Sequence, residues 1–213
     1  MDEAKRIDYK PSILAQSLRT NKTYTIGLLI PSIDNPYFAT IASEIVFEAK
    51  RYGYTVILLD TLEDEGNESE CINTLLTRSI DGIILVPCGE RPESLEKIDE
   101  QTPIVLIDRY FEDTSLSYIC TDNYRGALDG VKLLIENGHK EILCIRGVPH
   151  SMPSKERVKG YIDALRESGF DTRSRIAGND YSITNGYLET KLAIGSPARP
   201  TAIFALSNTI MLG

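Results

Sequence analysis

Seven stretches of this chain are apolar almost without a break: YTIGLLI (24–30), YTVILLD (54–60), GIILV (82–86), PIVLID (103–108), SYICT (117–121), EILCIR (141–146) and TAIFAL (201–206). A strand with one wet face alternates apolar and polar residues, whereas a strand covered on both faces has no polar side to show. Such runs demand a layer on either side of a sheet. The residues between them supply it, with helices expected over 37–52, 67–79, 92–100, 123–137, 154–168 and 183–194. Gly53, Gly138 and Gly169 fall just past three of those segments, where a left-handed C-cap is wanted. Strand, helix, strand repeated with right-handed crossovers predicts a doubly wound, parallel α/β sheet.

The loop GVPHSMP (147–153) contains one glycine and two prolines and reads as a boundary. Residues 23–148 then form one α/β unit. Residues 149–213 begin a second one: a helix, the short strand RIAG, a helix and the strand TAIFAL. That last strand is followed only by SNTIMLG, so a C-terminal continuation is expected. Residues 1–22 stand apart. In YKPSILAQSLRTNK (9–22) a proline opens a two-turn run of helix formers, too short to persist alone in water. This helix is expected to become ordered by docking on something.

Charge narrows what the body of the chain can bind. Its 213 residues carry a net charge of -8, so the bulk is no nucleic-acid surface. The exception is the N-terminal stretch with Lys5, Arg6, Lys10, Arg19 and Lys22. No apolar run reaches the ~18 residues that span a membrane. The opening MDEAKRIDYK has no apolar signal-peptide core, which predicts a cytoplasmic protein. Cys71, Cys88, Cys120 and Cys144 show no CxxC spacing and read as buried free thiols. With only two histidines, neither near a cysteine pair, no metal site is implied.

Open α/β sheets bind ligands beyond the carboxyl ends of their strands. After the first strand comes PSIDNPYF, which puts Tyr37 and Phe38 there as a stacking platform or as packing. After the fourth come Asp108 and Arg109, a carboxylate and a guanidinium able to hold a polyol or an acid, or to pair with each other. Asp122-Asn123 reads first as the N-cap of the next helix. Arg157 lies about one turn into the helix after the sixth strand, a place suited to anions or hydroxyls. Tyr181 precedes another helix, and Ser207-Asn208 follow TAIFAL. GxSxG, GxxxxGK[ST], HExxH and a GxGxxG after the first strand are all missing, so the candidates are binders and not catalysts.

In order and spacing, YKPSILAQSLRTNKTYTIGLLIPSIDNPYF, YGYTVILLDT, RSIDGIILVP, PIVLIDR, DN with Gly126, NGHKEILCIRG, ERVKGY and RPTAIFALSNTIMLG resemble the LacI/GalR family of transcriptional regulators, from about residue 4 to 213. The resemblance implies the periplasmic-binding-protein type I fold. It implies two lobes with an effector cleft, a homodimer and no cofactor. It makes residues 1–22 the remnant of a DNA-binding headpiece with its hinge helix, 23–148 the N-terminal lobe and 149–213 part of the C-terminal lobe. Leu18 then matches the leucine that wedges between base steps in the minor groove, with Leu14 and Ala15 beside it. Tyr37, Phe38, Asp108, Arg109, Arg157, Tyr181 and Asn208 match effector-binding positions. Asn208 departs from the aspartate most members carry there, and an amide both donates and accepts. A sugar or sugar derivative is the implied effector, and operator DNA the partner of the full-length protein. Without a helix-turn-helix, this stretch alone is expected not to bind DNA sequence-specifically. The same fold also serves sugar-binding proteins of transport systems, which need an export signal and no hinge helix.

Overall fold

The structure is a computed structural model and describes residues 22–89, 92–170 and 175–213. The elements run β1 (Thr25–Ile30), α1 (Pro36–Arg51), β2 (Thr55–Asp60), α2 (Glu65–Leu76), β3 (Gly82–Leu85), α3 (Glu93–Asp99), β4 (Ile104–Ile107), β5 (Ser117–Ile119), α4 (Asn123–Glu136), β6 (Ile142–Ile145), α5 (Met152–Glu167), β7 (Arg175–Ala177), α6 (Ile183–Gly195), β8 (Ala202–Ala205) and α7 (Asn208–Met211). The strands form a five-stranded sheet in the order β2-β1-β3-β4-β5 and a three-stranded sheet in the order β7-β6-β8. β1 pairs in parallel with β2 and β3, and β6 with β7 and β8, so each sheet is wound outward from its first strand in chain order.

β6 shows why the apolar runs are continuous. Ile142 and Cys144 turn to one face, where they meet Leu128 and Val131 of α4 and Tyr161, Ala164 and Leu165 of α5. Leu143 and Ile145 turn to the other and pack with Ile210 of α7 and Ala193 of α6. In the first sheet Leu28, Ile30 and Val86 pack under Phe38 and Ala42 of α1. The three capping glycines behave as expected, with φ of 78° at Gly53, 89° at Gly138 and 74° at Gly169. After each, the next N–H reaches back five residues to a helix carbonyl, as Tyr54 does to Ala49 at 2.9 Å.

The entry of the chain into the first sheet is tied by one carboxylate. Asp81, just before β3, accepts from the Thr23 N–H at 2.8 Å, the Thr23 hydroxyl at 2.9 Å and the Tyr24 N–H at 3.0 Å. Burial pushes its pKa up, but these donors outweigh burial and hold it below the ordinary aspartate value.

Three expectations change. The chain divides into a unit running to Ile107 with Thr114–Ser117, and a unit of Asp108–Asp113 with Tyr118–Gly213. The boundary expected after residue 148 is therefore an ordinary β6–α5 loop. Helix α4 packs on α5 and the second sheet, so it belongs to the second unit with β6. β5, read as a covered strand, is a three-residue sheet edge with every residue exposed. For the same reason Cys120, directly after it, is exposed. Of the four free thiols only Cys144 is buried.

Candidate functional site

In the first unit the carboxyl ends of β1 and β2 are knotted together by Asp60. Its two oxygens accept from the Ile33 N–H and the Leu62 N–H, each at 2.9 Å. Asn35 caps α1 by accepting from the Tyr37 N–H at 3.1 Å, and Pro36 occupies the first helical position. The two aromatics expected there separate. Phe38 is 4% exposed and belongs to the core, whereas Tyr37 is 38% exposed and meets Phe38 edge-on, ring centroids 5.2 Å apart. Of the two, only Tyr37 has an exposed ring. Nearby, buried Glu68 of α2 accepts from the Cys88 N–H at 2.7 Å and so fixes the loop after β3.

The other expected residues gather in the second unit. Asp108 and Arg109 are both buried, and Asp108 has φ of 63°, a left-handed turn that aspartate tolerates better than most residues. The Arg109 guanidinium lies 5.8 Å from the centroid of the Tyr181 ring. The Tyr181 hydroxyl shares a 2.8 Å hydrogen bond with the Ser151 hydroxyl, whose own proton goes to the Val148 carbonyl at 3.0 Å. Burial pushes the Tyr181 phenol above its ordinary pKa, against the opposing pull of the Arg109 and Arg157 charges. The ring rests on Gly147, where a Cβ would collide with it. That glycine is the signal in the sequence for a large side chain closing on this loop.

Arg157 is held at two points. Its Nε donates to Asn123 Oδ1 at 2.8 Å and its Nη1 to the Leu206 carbonyl at 2.5 Å. Three elements thus meet on one guanidinium: α5, the start of α4 and the end of β8. Asp122 is the N-cap of α4, accepting from the Arg125 N–H at 2.9 Å. Asn123, masked in the sequence by that capping role, is instead the arginine's acceptor and is 3% exposed. A cavity of about 210 Å³ opens beside this pair, lined by Thr121, Asp122, Gly126, Ala127 and Phe204 among others. Asn208 sits at the start of α7 with its side chain exposed, while the neighbouring Ser207 caps that helix by accepting from the Ile210 N–H at 3.1 Å.

A second polar group was not anticipated. Tyr110 stacks on Tyr118, centroids 4.5 Å apart and planes 8° from parallel, and donates to Glu156 Oε1 at 2.8 Å. Burial, with that carboxylate, pushes the Tyr110 phenol far up. Leu14, Ala15 and Leu18, expected to enter DNA, lie outside the described residues. Among the described residues no three His, Cys, Asp or Glu side chains are grouped to hold a metal ion. No described helix is long and apolar enough to cross a membrane.

The arrangement is one of donors and aromatics at the carboxyl ends of parallel strands, suited to holding a polar small molecule. Comparison with known proteins identifies the family. The family model described as periplasmic binding proteins and sugar binding domain of the LacI family matches residues 23–213. The NTD biosynthesis operon regulator NtdR of Bacillus subtilis (strain 168) is 33% identical over 208 residues, covering 97% of this chain and 63% of that protein. The sucrose operon repressor of Klebsiella pneumoniae is 31% identical over 212 residues, covering 99% of this chain and 64% of that one. The transcription regulator CcpA of Lactococcus lactis matches in structure with a TM-score of 0.77 at 26% identity, covering 88% of this chain and 69% of that one. The chain spans less than two thirds of the length of these two curated relatives. The fold is that of the periplasmic-binding-protein type I class, and the chain belongs to the LacI family.

Proposed function

We propose that this chain is the effector-sensing and dimerisation core of a LacI-type transcriptional repressor, responding to a sugar or sugar derivative. The observation that carries the reading is the doubly anchored Arg157, a fixed cation between the start of α4 and the carboxyl end of β8 with a cavity beside it. Tyr37 of the first unit, and Asp108, Arg109, Tyr181 and Asn208 of the second, are the further effector contacts. Phe38 contributes by packing behind Tyr37. Residues 1–22 are the remnant of the headpiece and hinge, with Leu14, Ala15 and Leu18 as the minor-groove contacts of the full-length protein. The two lobes are the two compact units, with the crossover between Ile107 and Tyr118. The effector acts by binding one arrangement of the lobes more tightly than another. Such a regulator works where the operator is, in the cytoplasm, and is not an enzyme.

A homodimer is supported by α6, on which Ile183, Tyr187, Leu188, Leu192 and Ile194 are each 49–69% exposed. A transport role is disfavoured because the relatives above are a regulator and a repressor by name. The test is a gel shift with the full-length protein and its own promoter region. Specific, effector-sensitive retardation is expected. Uniform retardation of all DNA, with or without sugars, would sink the reading.

A further inference from the structure

The amide of Asn123 cannot be turned around. Arg157 Nε carries a hydrogen and has no acceptor capacity, so the oxygen must face it and the Nδ2 must face elsewhere. That Nδ2 is buried and has no hydrogen-bond partner among the described residues. A buried donor without an acceptor is rare in native proteins and wants explaining. Arg157, which is part-buried, adds further donor capacity: its hydrogen bonds go to Asn123 through Nε and to the Leu206 carbonyl through Nη1, and a guanidinium carries five N–H groups. Both side chains line the cavity of about 210 Å³. The start of α4, a 14-residue helix, adds the positive end of its dipole. One group opposes: Asp122 also lines the cavity, with one oxygen engaged as the N-cap by the Arg125 N–H. The buried unpartnered polar atom at this cavity is thus a donor, the Asn123 Nδ2, and it lies beside a guanidinium.

From this we infer that the Asn123–Arg157 cavity is a subsite for an oxyanion, so that the effector of this protein carries a carboxylate or a phosphate and is not a neutral sugar. The inference rests on the effector-binding reading and narrows it. The volume agrees, being below the ~300–1,000 Å³ of whole-ligand pockets and suited to one charged group. At Gly126 the wall is open, since a Cβ there would meet nothing within 4 Å.

The experiment is thermal shift and calorimetric titration of this chain with glucose, glucose 6-phosphate, gluconate and inorganic phosphate. Two variants accompany it. Asn123→Asp keeps an oxygen for Arg157 Nε but replaces the donor with a carboxylate oxygen. Gly126→Leu fills the cavity and leaves the Asn123–Arg157 pair untouched. At least one oxyanion probe is expected to bind tenfold or more tightly than glucose, with both variants losing that preference while melting as two-state folded proteins. Binding of gluconate, glucose 6-phosphate or phosphate alone tells which oxyanion, and whether a sugar body is needed. A response to glucose equal to that of the charged probes overturns the subsite but leaves the effector-binding reading standing. So does oxyanion binding that survives both variants. No response to any of the three oxyanions also overturns the subsite, and the gel shift with full-length protein then decides the wider reading separately.

Discussion

Arg157 is at once a ligand group and a strut, and the two roles predict different losses. Arg157→Ala leaves the Asn123 amide oxygen and the Leu206 carbonyl buried without their donor. That should cost about 1–3 kcal/mol of stability, read as a lower urea midpoint at unchanged slope. Arg157→Lys should recover part of the stability but not the ligand response, because an ammonium is a point donor without the fork. The cysteines give a second residue-scale prediction. Burial pushes the Cys144 thiol up to about 12, so at pH 7.5 it should resist alkylation until the protein is unfolded. Cys120 is exposed, although burial of its thiol and nearby carboxylates raise it too, and should label before Cys144 in the folded protein, as peptide mapping would show. Comparable labelling of Cys144 in native buffer would contradict the core described for β6. At this scale the sequence is partly legible. Arg157, Arg109 and Tyr181 can be picked out by position after strands. Asn123 cannot, because Asp-Asn before a helix reads as a cap and its true partner lies 34 residues downstream.

Helix ends were the most legible elements. Gly53, Gly138 and Gly169 announce their caps because the left-handed conformation they adopt is one that other residues avoid. β5 was the least legible. SYICT has the composition of a covered strand, and nothing local to it says that it forms the edge of a sheet. The loop after β6 misled for a related reason, since glycine and proline mark a βα turn as readily as a domain boundary. What settles it is packing between α4 and α5. Gly160 lies against the first turns of α4, where a Cβ would collide with the Tyr124 carbonyl and meet the Leu128 nitrogen at 2.9 Å. Gly160→Ala should therefore destabilise the second unit by about 1–3 kcal/mol despite alanine's better helix propensity. A rise in the melting temperature would mean that the two helices can separate at little cost.

For the molecule as a whole, the division into two units places the crossovers at the ends of β4 and around β5. The alternation of strand and helix was enough to predict both parallel sheets. Where the chain changes unit is not predictable, because Asp108–Asp113 enter the second unit before Thr114–Ser117 rejoin the first. The tie at Asp81 adds a pH prediction. Its folded pKa is depressed, so its contribution is complete above the unfolded value near ~3.9 and is lost as pH falls through the lower folded value. Asp81→Asn should destabilise the protein at pH 7, and the gap from wild type should close below that window in a series of acid melts.

The same tie sets how movement can pass along the chain. Thr23 and Tyr24, at the start of the first sheet, are gripped by three hydrogen bonds to a side chain from a different strand connection. A joint clamped in that way transmits torque: a rotation of β3 must turn Thr23 and Tyr24 with it, and a twist applied at Thr23 and Tyr24 must be felt by β3. If the N-terminal segment is where DNA is held, Asp81 is the gearing between ligand and operator, and loosening it should uncouple the two while leaving each able to bind its own partner.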